Sequence, residues 1–172
     1  DTKIFHEAYI HNLPSKEKKY PHKFLFVGRF ENVKGLKDLA EAWKSLSTER
    51  KDWEIVFIGD GPLKPALLKL EQAKTLSFMQ PRELANEIEQ AGCLILPSRT
   101  EPWGVVVHEF ASAGLPLILS DKVGAGASFL IQGYNGYRFK AGNLKSLKNS
   151  MRKIIFSSDE KLLTMSKKSH NI

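Results

Sequence analysis

Four charged side chains stand where their surroundings make them conspicuous: Arg29 and Lys34 in "GRFENVKG" (28–35), and Glu101 and Glu109 in "TEPWGVVVHEFASAG" (100–114). From Gly104 onward the second stretch reads as an apolar, buried helix, yet Glu109 sits inside it. Burying an unpaired carboxylate is costly, so such a group calls for a partner or a ligand. Four residues span about one helical turn. Glu109 can therefore face a cleft at the head of the helix while Val106, Val107 and Phe110 face the core. A carboxylate at the lip of an α/β crevice is the usual partner of ribose hydroxyls. A neighbouring Lys or Arg, or simple exposure, fits the spacing equally well. Arg29 and Lys34 bracket a turn just ahead of a helix, and Gly28 permits close approach of backbone or ligand. Two cations beside a positive helix end make a site for a diphosphate. Solvated loop charges give the same pattern, and the spacing is not that of a P-loop.

The elements that would hold these residues alternate. Strands are expected at 23–30, 53–59, 75–79, 93–98, 115–121 and 133–140, and helices at 34–46, 63–73, 81–91, 104–114 and 143–156. Leu36, Leu39, Ala40, Trp43 and Leu46 recur at helical spacing, which makes Trp43 a core residue. Strands that are continuous apolar runs, alternating with helices, predict an α/β fold: a Rossmann-like parallel sheet with helices on both faces. Ligands of such sheets sit beyond the carboxyl ends of the strands, at the point where strand order reverses. The loops at 28–34, 59–62, 79–81, 98–104 and 121–127 then become the functional ones. The expected organisation is a linker-like segment at 1–22, a Rossmann-like ligand-binding domain at 23–158 and a basic helical tail at 159–172.

The chain has 172 residues and a net charge of +7. From Asn143 onward, seven cations (Lys145, Lys148, Arg152, Lys153, Lys161, Lys167, Lys168) face only Asp159 and Glu160, so this end holds five of the seven net charges. With no zinc-finger spacing and no aromatic-plus-basic RNA motif, nucleic acid is not an expected partner. A solvated helix face is one reading of the basic tail, and a surface for a partner domain or an anionic membrane is the other. The single cysteine, Cys93, excludes an internal disulfide and heads a buried strand, which fits a reducing, cytoplasmic setting. No apolar run approaches the roughly 20 residues that span a bilayer. The first residue is Asp rather than Met, which reads as a fragment. The five histidines show no ligand spacing, so no metal site is expected, and His108 points away from Glu109 as a core or flanking residue. A dehydrogenase fingerprint after the first strand and a nucleophile elbow are both missing.

Taken together, "FVGRFENVKGLKDLAEAW", "GDGP", "LILPSRTEPWGVVVHEFASAGLPLILSD" and "GYNGYRF" resemble the C-terminal, donor-binding half of a family 4 glycosyltransferase of GT-B fold, in order from about residue 23 to 158. "DTKIF" resembles the segment that follows the interdomain linker in such enzymes. Glu101 and Glu109 meet the family's E-x7-E pattern. The resemblance implies that Arg29 and Lys34 bind the donor diphosphate, Glu109 the ribose and Glu101 the transferred sugar. The backbone around Trp103, Gly104 and Val105 would contact sugar and phosphates. It also implies a retaining transfer from a nucleotide diphosphate sugar to a glycan or lipid-linked glycan. No cofactor would be tightly bound, the acceptor site would lie in an N-terminal domain not contained in this chain, and this half alone would be inactive. The setting would be cytoplasmic, with peripheral attachment to the inner membrane face. Trp103 stands where Phe is more usual, Met79 where Gly often follows the base-contacting strand, and "KVGAGASFL" (122–130) lacks a frequent acidic residue. A GT-B-related nucleotide-sugar epimerase shares the diphosphate chemistry. A non-enzymatic nucleotide-sugar-binding module is the remaining alternative, against which the intact E-x7-E pair argues.

Overall fold

A computed structural model describes residues 2–172. Six parallel strands form one sheet: β1 (Lys23–Val27), β2 (Glu54–Ile58), β3 (Ala73–Leu76), β4 (Cys93–Leu96), β5 (Leu117–Ser120) and β6 (Gly136–Phe139). Their order is β3-β2-β1-β4-β5-β6. Strand order grows outward from β1 on one side and restarts at β4 on the other, so the crevice falls between the ends of β1 and β4. Phe24 is in register with Cys93 and Leu25 with Leu94 across that seam. All four residues of β4 and of β5 are buried, as a sheet covered on both faces requires.

Helices α2 (Leu36–Ser45), α3 (Lys64–Leu67), α4 (Pro81–Glu89), α5 (Val105–Ser112) and α6 (Gly126–Phe129) make the crossovers, and α7 (Leu144–Ile155) and α8 (Asp159–His170) follow β6. Right-handed crossovers change face where the direction of strand addition reverses. Accordingly α2 packs with α7, whereas α5 packs with α6 and α8. Local chemistry sets the ends. Pro81 opens α4 behind a Gln80–Glu83 capping box. Asn143 caps α7 by accepting from the Ser146 amide, and Ser158 caps α8 by accepting from that of Lys161.

Three segments differ from the sequence reading. Residues 1–22 were expected to be linker-like, but helix α1 (Lys3–Lys18) occupies most of them and packs against α4, α5 and α8. Its buried stripe is Phe5, Tyr9, Asn12 and Lys16. Two of those four are polar, so no apolar periodicity marks the helix. Lys16 is tolerated because its ammonium donates to the Ala91 carbonyl at 3.0 Å and lies over the Tyr20 ring. Burial lowers its pKa to about 7, with Glu89 opposing. The expected helix over 63–73 is only the single turn α3, and β3 starts at Ala73 rather than Thr75. Gln72, at φ 54°, lies immediately before β3, outside helical geometry, and its side-chain amide donates to the carbonyls of Lys51 and Trp53. The region read as a tail is integral: α8 buries Leu162, Met165, Ser166 and Ser169. At the far end of α8, His170 stacks on Tyr9, and its Nε2 lies 2.8 Å from Nδ1 of His6.

The core forms one cluster that includes Trp43 and Trp53. Trp43 donates its indole N–H to the Glu71 carbonyl. Cys93 is fully buried, and burial pushes its thiol pKa up, which leaves it a packing residue. Among the described residues, no helix is long and apolar enough to cross a membrane.

Candidate functional site

The loop after β1 and the loop after β4 are pressed together at the crevice. Phe30 is buried and anchors the first. A turn of 3-10 helix, Asn32–Lys34, follows it and ends at Gly35, whose φ is 74°. A Cβ built on Gly35 would lie 1.9 Å from the Pro97 carbonyl oxygen, so glycine is what allows the two loops to touch. The Arg99 amide donates to the Val33 carbonyl at 2.9 Å. The Arg99 guanidinium grips Asp38 in α2 through two bonds of 3.0 and 2.8 Å.

This clamp brings Lys34 and Glu101 into contact: the ammonium donates to the carboxylate, with the side chains 26% and 18% exposed. The backbone of Glu101 is held in turn. Its amide donates to Lys122 and its carbonyl accepts from Gly124, while Ala125 donates to the Trp103 carbonyl. Gly104, at φ 89°, turns the chain into α5. Trp103 and Val105 are exposed at that turn. Arg29 stands apart from this pair at 71% exposure, its Nε donating to Glu31 at 2.7 Å. Both cations singled out in the sequence are therefore engaged by carboxylates. Glu31 carried no signal of its own in the sequence, since a charged loop residue two positions from an arginine is commonplace.

Glu109 lies in the second turn of α5 and is half-buried, whereas Val107 and Phe110 on the same helix are fully buried. Among the described residues, no hydrogen bond or salt bridge to its carboxylate is formed. Burial raises its pKa, and the adjacent His108 offsets part of the rise. His108 is exposed and stacks on Phe129, a flanking position rather than a place in the site.

Beside Arg29 a cavity of about 380 Å³ opens over the ends of β1 and β2, lined by Gly28, Gly59, Asp60, Phe78, Met79 and Leu84. Phe78 is exposed at its rim. Met79 lines the same space and packs half-buried against the core. Ser98 was also missed: it is fully buried at the end of β4, and its hydroxyl has no partner among the described residues. Among the described residues, no group of three His, Cys, Asp or Glu side chains could hold a metal ion. The crevice thus presents the Lys34–Glu101 pair and the N-terminus of α5, with Arg29 lining an apolar recess, and no hydrogen bond or salt bridge joins Glu109 to them among the described residues. That set can bind an anion with a hydroxyl-rich group on one side and a flat apolar group on the other.

The model of the family described as "Glycosyl transferases group 1" matches residues 10–171, and the chain belongs to that family. Among curated relatives, it is 34% identical over 104 residues to the alpha-D-kanosaminyltransferase of Streptomyces kanamyceticus, a match covering 56% of this chain and 27% of that protein. It is 28% identical over 142 residues to the glycogen synthase of Mycobacterium tuberculosis, covering 78% and 34%. The chain therefore spans about a third of the length of these relatives. Among solved structures, the C-terminal domain of a glycosyl transferase group 1 family protein, LpcC, from Francisella tularensis superposes with TM-score 0.76 at 18% identity, covering 99% of this chain and 94% of that one. The pneumococcal O-GlcNAc transferase GtfA, in complex with UDP and GlcNAc, gives TM-score 0.75 at 19% identity, covering 88% and 32%. These likenesses establish the Rossmann-like fold.

Proposed function

We propose that this chain is the donor-binding, C-terminal half of a retaining family 4 glycosyltransferase that takes a sugar from a nucleotide diphosphate sugar. The observation that carries the reading is the contact of Lys34 with Glu101 at the strand-order reversal, with Arg29 of the same loop as Lys34 lining the apolar recess. Arg29 and Lys34 would take the diphosphate and stabilise its charge as the bond to the sugar breaks. Glu101 would hold sugar hydroxyls and Glu109 the ribose, which fixes the donor's orientation. The backbone at Trp103, Gly104 and Val105 would complete the phosphate contacts from the start of α5. The recess lined by Phe78 and Met79 would receive the base. The acceptor would be held by an N-terminal domain, so this half alone would bind donor without efficient transfer. Cytoplasmic location with peripheral membrane attachment through the basic α7 and α8 surfaces belongs to the same reading.

Calorimetric titration with a panel of nucleotide sugars tests it. One or more should bind, with affinity falling as salt is raised because the two cations act partly through charge. Failure of the whole panel to bind, by a chain shown to be folded, would overturn the donor-site reading.

A further inference from the structure

Both proposed diphosphate ligands are already occupied by carboxylates, but the two pairs differ. Arg29 and Glu31 are neighbours in one loop, two residues apart, and Arg29 is largely solvated. Lys34 and Glu101 come from different loops, 67 residues apart, and both are largely shielded. Glu101 is also the residue assigned to the transferred sugar. A diphosphate can take Lys34 only in competition with Glu101, and Glu101 gains a replacement partner only if a sugar comes with that diphosphate.

We infer that Glu101 acts as an internal competitor for Lys34 that sets the site's preference for an intact sugar donor over the sugar-free nucleoside diphosphate. This inference rests on the donor-site reading and deepens it. With donor bound, the diphosphate neutralises Lys34 and the sugar hydroxyls take over the Glu101 carboxylate. Once the sugar has left, Glu101 has no hydroxyl partner and returns to the ammonium, where it competes with the diphosphate product. The clamp of Asp38 on Arg99, and the contact of Gly35 with Pro97, keep the carboxylate within reach of Lys34 throughout. Glu31 cannot discriminate in this way. It competes for Arg29 whether or not a sugar is attached. Weakened product binding matters because product release limits turnover in many enzymes.

The test compares free and sugar-bearing nucleotides on one protein. The folded chain is titrated with UDP, GDP and ADP and with their glucose conjugates, and the tightest nucleotide is carried forward. Glu101→Gln should bind the free diphosphate about 2–5-fold more tightly, the scale of a released ion pair. It should bind the sugar conjugate about tenfold more weakly, the scale of a lost charged hydrogen bond. Glu31→Gln should shift both ligands in the same direction and leave their ratio within about twofold. In wild-type protein labelled with 13C at glutamate carboxyls, the Glu101 resonance should move when the sugar-free diphosphate is added. Glu101→Gln weakening both ligands alike, or a Glu101 resonance indifferent to the diphosphate, would overturn the inference while leaving the donor site standing. Absence of binding to every nucleotide would overturn both.

Discussion

Replacing Glu109 with Gln should make the chain more stable and a poorer binder of its ligand. The carboxylate is half-buried in an apolar helix with no hydrogen bond or salt bridge among the described residues, and burial raises its pKa. A folded pKa above the unfolded one means that the native carboxyl holds its proton more tightly. Below the ordinary carboxylate range both states are protonated and the difference vanishes. As pH rises through the raised folded value, the native chain must ionise Glu109 in a partly desolvated place, and stability is lost. At about pH 7 that cost is fully expressed, and an amide of the same size removes it without leaving a cavity. Because the side chain still meets solvent, screening limits the gain to a few tenths of a kcal/mol, at most about 1 kcal/mol. Urea melts of both proteins at about pH 7 and about pH 3.5 should show the gain at the first and its disappearance at the second. The same variant should lose about 1–3 kcal/mol of nucleotide-diphosphate binding, the worth of a charged hydrogen bond. A variant that is less stable at neutral pH, yet binds nucleotide as tightly as wild type, would show that Glu109 is a structural charge and refute the reasoning.

Gly35→Ala forces a side chain into φ 74° and against the Pro97 carbonyl; it should cost about 2–4 kcal/mol in denaturant melts and weaken nucleotide binding by parting the two loops. His22 bonds Asp52 at 2.8 Å and Asp159 at 2.6 Å while stacking on Trp53. Burial pulls its pKa down, but the bonds to Asp159 and Asp52 outweigh this and raise it overall. Its stabilising contribution should therefore be complete below the ordinary histidine range and fade as pH rises through the raised folded value. The gap between His22→Ala and wild-type melts should narrow at alkaline pH to what the stacking on Trp53 contributes. Truncation before Asp159 exposes the sites of Leu162 and Met165; at about 1.5–3 kcal/mol for each lost side chain it should unfold or severely destabilise the chain, as circular dichroism would report.

Where sequence and structure agree, one period dominated locally. The strands are runs with few polar interruptions, and α2 and α7 each bury a largely apolar stripe, so element type could be read directly, whereas the strand order is set by pairing between distant segments. Among the candidate site residues, Arg29 and Lys34 stood out because their immediate neighbours are apolar or glycine, and Glu109 because it falls in an apolar helix. What could not be read depends on pairing at a distance. Lys16 looks like an exposed lysine until the Ala91 carbonyl reaches it from 75 residues away. Arg99 and Asp38 each look like a surface charge until Gly35 lets their loops meet. The start of β3 at Ala73 follows Gln72 at φ 54°, whose two carbonyl partners lie about 20 residues earlier. The apolar recess likewise joins residues from the ends of separate strands, and no linear window contains it.

The meeting of α1 and α8 gives the chain an almost circular path. His6 and His170 touch, although 164 residues separate them, so the two ends of the described chain lie side by side. Joining them would need only a short, flexible bridge with little closure entropy to overcome. New ends could then be cut at an exposed turn such as the one at Gly133, where an added side chain would meet nothing within 4 Å. Such a rewired chain would keep every layer of the fold and the whole crevice, while moving its two ends to the turn before the edge strand β6.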